Sequence, residues 1–266
     1  MSADYWQKQL QGKPLYPEII WNKPENQAQA GKLLIIGGNS NAITTPSQTY
    51  QLALNQKVGQ VKVVMPLSTK KYFGGQAPAD ILFAQSNPSG SFSQKAFDDI
   101  KLHISWADGT LLAGDFGHNS ETAILLENII KLPGLLVFNG DTIDYFSQHP
   151  TDILNRSNTI LVGDFADIQK IIKNSGFYTP ITSTMPLANL VECLHLFTNQ
   201  YKPMLVTVYL DFIVLAMAGQ VISTKLNNLP ANWQNTVATN IATWVLQQPQ
   251  NPLKTASAAI SQTILQ

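Results

Sequence analysis

Leu33-Leu34-Ile35-Ile36 is an unbroken apolar run that stops at Gly37-Gly38. The same form returns four more times in this chain. Val61-Lys62-Val63-Val64-Met65 stops at Pro66, Thr110-Leu111-Leu112-Ala113 at Gly114-Asp115, Leu135-Leu136-Val137-Phe138 at Asn139-Gly140-Asp141, and Thr159-Ile160-Leu161-Val162 at Gly163-Asp164. A strand with one face in water alternates apolar and polar side chains. A run without alternation is covered on both faces, as in a parallel sheet sandwiched between helices. Helical periods separate the runs: Ser47 to Gln56, Ser120 to Lys131, Ala166 to Lys173 and Leu187 to Thr198. From Met204 the pattern changes. Met204 to Tyr209 and Phe212 to Met217 flank Leu210-Asp211 as an antiparallel pair, a polar stretch follows, and Val237 to Gln247 resumes a helical period. The expected architecture is α/β, three layers in the order α/β/α, with a mostly parallel, doubly wound sheet and an antiparallel edge.

With 266 residues, of which 44% are hydrophobic, the chain can fill such a core, and no linker rich in Pro, Gly or Ser divides it. One domain over residues 1–266 is expected. The most irregular segments are those around Gly74-Gly75-Gln76-Ala77-Pro78 and Asn87-Pro88-Ser89-Gly90-Ser91. Lys+Arg and Asp+Glu are both 17, so there is no basic surplus to neutralise phosphates and nucleic acid is not an expected partner. Charged residues are only 13%, against 22 Gln and 20 Asn, so the surface is largely neutral amide and a homo-oligomer is expected. The single cysteine, Cys193, lies in an apolar helical stretch, and Met1 to Trp6 does not read as a signal peptide, which together point to the cytoplasm. The most apolar run, Leu205 to Gly219, is too short to span a bilayer and carries Asp211, so no membrane association is expected.

In an open α/β sheet, ligands bind outside the carboxyl ends of the strands. The candidate ligand-binding residues are therefore Gly37, Gly38, Asn39 and Ser40, then Gly114, Asp115, Phe116 and Gly117, then Asn139, Gly140 and Asp141, then Gly163 and Asp164. Gly and Asp at such positions also serve turns and helix caps. No phosphate-binding loop, dinucleotide fingerprint or nucleophile elbow occurs, and the four histidines show no zinc-ligand spacing. His118 with Asp115 and Glu121 reads as a solvated loop and Asn155-Arg156-Ser157 as a chance sequon, so no metal site is expected.

The succession Gly31-Lys-Leu-Leu-Ile-Ile-Gly-Gly-Asn-Ser40, Leu-Leu-Ala-Gly-Asp-Phe-Gly117, Leu-Val-Phe-Asn-Gly-Asp141 and Ile-Leu-Val-Gly-Asp-Phe-Ala-Asp167 resembles the ribokinase-like superfamily. Within it the likeness is to the nucleotide-dependent NAD(P)H-hydrate dehydratases, over residues 12–266. In that family a strand leads into Gly-Pro-Gly-Leu-Gly, the next into Asp-Ala-Asp and the next into Thr-Pro-His-x-Gly-Glu. Here Gly114-Asp115-Phe116-Gly117-His118, Asn139-Gly140-Asp141 and Val162 to Asp167 stand in those places. The family's Gly-Ser-Gly-Asp, ahead of a C-terminal helix, falls on Asn232-Trp233-Gln234-Asn235, which puts Asn235 at the position of the catalytic aspartate. An amide cannot act as a carboxylate base, and Trp233 and Gln234 bring side chains where glycines would let backbone N–H groups approach phosphate. The Lys-Gly expected on the adenine side appears as Val208-Tyr209. Without the resemblance, Asn235 reads as an N-cap and Trp233 as packing.

The resemblance implies a degenerate member that binds a small molecule or nucleotide, or acts as a scaffold, with Asn232, Gln234 and Asn235 at its site. The alternative is an active NAD(P)H-hydrate dehydratase or small-molecule kinase using ADP or ATP with Mg, its base supplied by Asp141, Asp115 or Asp164. An unrelated α/β protein, such as a structural subunit, is the third reading.

Overall fold

The computed structural model describes residues 4–74, 77–226, 228–229 and 232–263. Gly75 and Gln76 of the irregular loop, and Met1 to Ala3 of the N-terminal segment, lie outside the described residues. Along the chain the elements are β1 (Trp6–Leu10), α1 (Pro17–Trp21), β2 (Lys32–Ile36), α2 (Thr44–Asn55), β3 (Gln60–Pro66), β4 (Ile81–Ala84), α3 (Phe97–Trp106), β5 (Gly109–Leu112), α4 (Ser120–Ile129) and β6 (Leu135–Asn139). They continue with α5 (Asp141–Ser147), α6 (Thr151–Asn155), β7 (Thr159–Val162), α7 (Phe165–Asn174), α8 (Leu187–Gln200), β8 (Met204–Tyr209), β9 (Phe212–Met217), β10 (Gln220–Lys225), α9 (Trp233–Gln247) and α10 (Pro252–Thr263).

The strands form one ten-stranded sheet in the order β1-β10-β9-β8-β7-β6-β5-β2-β3-β4. All neighbours from β4 through to β8 pair in parallel, β9 runs antiparallel to both β8 and β10, and β1 pairs in parallel with β10. The period of two explains the layers. Leu33 and Ile35 of β2 pack in one core with residues of α9 and α10, whereas Leu34 and Ile36 pack in the other with residues of α3, α4, α7 and α8.

The five apolar runs are all strands, and the Met204 and Phe212 runs pair as the expected antiparallel hairpin. The polar stretch after Met217 contains a further strand, β10, whose central residues Val221 to Thr224 are all buried. Its hydroxyls are satisfied from β1: Trp6 Nε1 donates to Ser223 Oγ at 2.9 Å and Gln9 Nε2 to Thr224 Oγ1 at 3.0 Å. Burial of these hydroxyls is inexpensive because each has a partner. Asn155-Arg156-Ser157 has a structural role, for Arg156 donates to the carbonyls of Ile130, Leu132 and Gly134 at 2.7 to 2.9 Å and to those of Ser157 and Asn158 at 3.0 and 3.1 Å. It clips the end of α4 to the start of β7.

Sequential strands from β2 go to β3 and β4 on one side and then to β5, β6 and β7 on the other. The winding therefore reverses between β2 and β5, and the crevice outside their carboxyl ends is where this sheet class places ligands.

Candidate functional site

The chains leaving β2 and β5 touch at the reversal. A Cβ on Gly37 would lie 1.8 Å from the Ala113 carbonyl oxygen, so only glycine allows that approach. Beyond it the loop turns away from the crevice: Asn39 Nδ2 donates to the Asp115 carbonyl at 3.2 Å, its Oδ1 accepts from the Asn41 N–H at 2.8 Å, and the Ser40 N–H donates to the Gly90 carbonyl at 2.9 Å. Asp115 accepts from the Gly117 N–H at 2.6 Å, and Tyr145 donates to the Gly117 carbonyl at 2.6 Å.

A cavity of about 230 Å³ opens beside this junction, at the ends of β5 and β6 and the N-terminus of α9. Gly114, Asn139, Gly140, Asp141, Asn232, Gln234 and Asn235 line it together, as the sequence suggests, and Thr45, Gln48 and Trp233 complete the wall. Gly37, Gly38, Asn39, Ser40, Asp115 and Gly117 stand outside this lining and build the loops behind it. Asp164 is separate: it is exposed and caps α7, accepting from the Asp167 N–H at 2.9 Å while Asp167 accepts from the Asp164 N–H at 3.0 Å. That reciprocal capping box accounts for its carboxylate. Burial, with Asp164 beside it, pushes the Asp167 carboxyl up to about 6.

Asn235 is not the N-cap of α9. The helix begins two residues earlier, Asn232 is the N-cap, and Asn235 occupies the third helical position with only 6% of its surface exposed. Its Oδ1 lies 2.7 Å from the Thr49 hydroxyl and accepts from Asn139 Nδ2 at 3.2 Å, while its Nδ2 has no partner among the described residues. The Thr49 hydroxyl is also 2.7 Å from the Thr45 carbonyl, and its one proton goes to one of the two oxygens. Three elements, α2, β6 and α9, thus meet on one buried amide. Across the cavity Gly140 takes φ 51°, ψ −113°, and a Cβ there would sit 2.9 Å from Gln234 Oε1. The Gln234 side chain therefore lies over the backbone between Asn139 and Asp141.

Asp141 is the one charged side chain in the lining among the described residues. Burial raises its carboxyl above the ordinary aspartate value, and Asp115 and Asp144 push it the same way while His118 opposes them. Burial, together with the Asp115 and Asp141 carboxylates, pushes the Tyr145 phenol up to about 12, so it stays protonated and donates to Gly117. Tyr145, which stacks on His118 with ring centroids 5.5 Å apart, carried no sequence signal, and neither did Thr45, Gln48 or Thr49 on α2. Among the described residues there is no group of three His, Cys, Asp or Glu placed to hold a metal ion, and no helix is long and apolar enough to cross a membrane.

At the end of β8, where the resemblance implies Lys-Gly, Tyr209 is buried, 4.8 Å from Phe165 between ring centroids, with its hydroxyl 2.6 Å from the Met185 carbonyl.

No protein-family model matches this chain, and no curated protein matches its sequence. Solved structures do match. A ribokinase-like superfamily protein from Enterococcus faecalis superposes over 100% of this chain and 88% of its own, with a TM-score of 0.74 and 15% identity. The chain has the ribokinase-like fold. A hypothetical protein from Streptococcus mutans matches at TM-score 0.68 and 16% identity over 93% of this chain and 86% of its own. The ADP/ATP-dependent NAD(P)H-hydrate dehydratase from Bacillus subtilis, co-crystallised with ATP and Mg²⁺, matches at TM-score 0.61 and 11% identity over 95% of this chain and 87% of its own. On this ribokinase-like sheet the described cavity lies at the strand ends next to the reversal of winding.

Proposed function

We propose that this chain is a single-domain, catalytically impaired ribokinase-like protein that works by binding a small polar ligand in the cavity at the N-terminus of α9. The observation that carries the reading is Asn235. In the register given by the resemblance it stands where a carboxylate base would take a proton, yet it is an amide held by Thr49 and Asn139. An amide has no useful basicity near neutral pH, and general-base catalysis contributes about 10² to 10⁴ in rate. The lining adds support: among the described residues it holds no Lys or Arg and a single carboxylate, Asp141, whereas a magnesium nucleotide is ordinarily held by cationic or closely packed N–H donors and by carboxylates on the metal. Gln234 and Trp233 occupy the approach to the first turn of α9, and Tyr209 and Phe165 pack against each other at the end of β8. The residues present do not fit ADP or ATP with Mg well.

A second reading rests on Asp141. A solvent-exposed carboxyl with a raised pKa at the cavity wall has the character of a general base, and it favours an active NAD(P)H-hydrate dehydratase or small-molecule kinase. In both readings the protein is cytoplasmic and a homo-oligomer. The buried Cys193, whose thiol burial pushes up to about 11, suits a reducing compartment.

Thermal denaturation with ADP, ATP, AMP, NAD and NADP tests the binding. A ligand at one hundred times its Kd stabilises the native state by about 2.7 kcal/mol. Stabilisation by one of them, unaccompanied by turnover, is the expected result. No shift with any of them at millimolar concentration removes nucleotide from the ligand class and leaves the scaffold role.

A further inference from the structure

The opposite end of the sheet holds a second and larger cavity, of about 380 Å³. It lies at the starts of β5, β6, β7 and β8, beneath the C-terminal turn of α9. Since α9 has 15 residues, about 22 Å of helix separates it from the polar cavity at the N-terminus. Its walls are apolar: Leu135, Ile160, Met204, Met217 and Leu246 face it, and methionine thioethers adapt readily to the shape of a bound molecule. A Cβ on Gly109 would sit 3.2 Å from Leu135 and 3.6 Å from Leu246, two residues of this wall. The size and lining are those of a small-molecule site, in which a few polar groups orient an apolar body.

The polar groups here carry a sign. Asp108 stands at the rim, its Oδ2 accepting from the Lys32 backbone N–H at 2.8 Å, and no cation pairs with it among the described residues. The last turn of α9 carries backbone carbonyls without intrahelical partners, the partly negative end of the helix, and has no basic side chain to balance them. The other polar side chains at the wall, Asn158 and Thr159, are neutral. Arg156 lies behind them with its guanidinium bound to backbone carbonyls and to the Thr159 hydroxyl. We propose that this cavity is a binding site for a small apolar molecule bearing a protonated amine, with the body against Leu135, Met204 and Met217 and the ammonium on Asp108.

The probes are 2-phenylethylamine, charged at neutral pH, and its neutral isostere 2-phenylethanol. Titration of the full chain, followed by calorimetry and by the methyl signals of ¹³C-labelled methionine, is expected to show the amine binding more tightly and shifting Met204 and Met217. Asp108→Asn keeps an acceptor for the Lys32 N–H while removing the charge. It should weaken the amine by about five- to tenfold and leave the alcohol unchanged. Equal affinity of wild type for the two probes, or no loss of the amine in Asp108→Asn, overturns the assignment of charge. Unmoved Met204 and Met217 signals in the wild type overturn the site itself.

Discussion

Removal of the Thr49 hydroxyl tests whether Asn235 is a structural amide. Thr49→Val preserves shape and β-branching on α2, so its cost falls on two contacts, those to Asn235 Oδ1 and to the Thr45 carbonyl, each 2.7 Å long. Only one proton is shared between them, and the Thr45 carbonyl keeps its place in the helical ladder. The loss is therefore one buried hydrogen bond plus an under-satisfied amide oxygen that retains Asn139 at 3.2 Å. That amounts to about 1 to 2 kcal/mol. For a chain of this size each kcal/mol moves Tm by about 2 to 4 °C, so a drop of about 2 to 8 °C is expected. Asn235→Ala should cost more, about 2 to 3 kcal/mol, because it also leaves buried Asn139 Nδ2 without its partner. The two losses share an interaction, so in a double-mutant cycle by urea unfolding they should couple by about 1 kcal/mol. A coupling within about 0.3 kcal/mol of zero would refute the claim that the amide is locked by Thr49.

Asp141→Asn should raise stability at neutral pH, the reverse of what loss of a stabilising carboxylate does. Burial raises the native pKa of Asp141, so its ionisation destabilises the folded state: the penalty is absent below the unfolded value near 4 and develops as pH rises through the native value. Because the group is also partly open to solvent, the gain at pH 7 should stay under about 1 kcal/mol and vanish below about pH 4, as thermal melts across that range would show. Arg156→Lys should lower stability by about 2 to 3 kcal/mol in urea unfolding, since a point charge cannot serve the Ile130, Leu132, Gly134, Ser157 and Asn158 carbonyls together. Asn235→Asp alone should show no nucleotide-dependent turnover, since Gln234 still lies over Gly140. Gly at positions 232 and 234 combined with Asp at 235 reverses three local losses together and is the variant in which a coupled assay should first detect activity.

The sheet was legible wherever burial on both faces wrote itself as unbroken apolar runs. β10 and β1 escaped that signal because the buried hydroxyls of Ser223 and Thr224 are satisfied by Trp6 and Gln9, some two hundred residues away, and nothing local marks that pairing. α10 escaped because its buried residues are mostly Ala, Ser and Thr, which carry little hydrophobic contrast. At the site, strand-end positions such as Asn139 and Asp141 followed from the rule for α/β sheets. The rule did not separate Asp141, which lines the cavity, from Asp164, which caps α7, because a Gly-Asp pair after a strand is common to both. The N-cap reading of Asn235 failed because the helix extends three residues further toward its N-terminus, turning the side chain from the cap position toward Thr49.

Incubation of the purified wild-type protein with hydrated NADH, Mg²⁺ and either ATP or ADP bears most directly on whether Asn235 has ended nucleotide-dependent chemistry in this fold. Conversion of the hydrate to NADH, followed at its absorbance maximum, should not exceed the protein-free control with either nucleotide. Robust turnover by the unmodified chain, abolished by Asp141→Ala, would contradict the impaired reading and assign the base to Asp141.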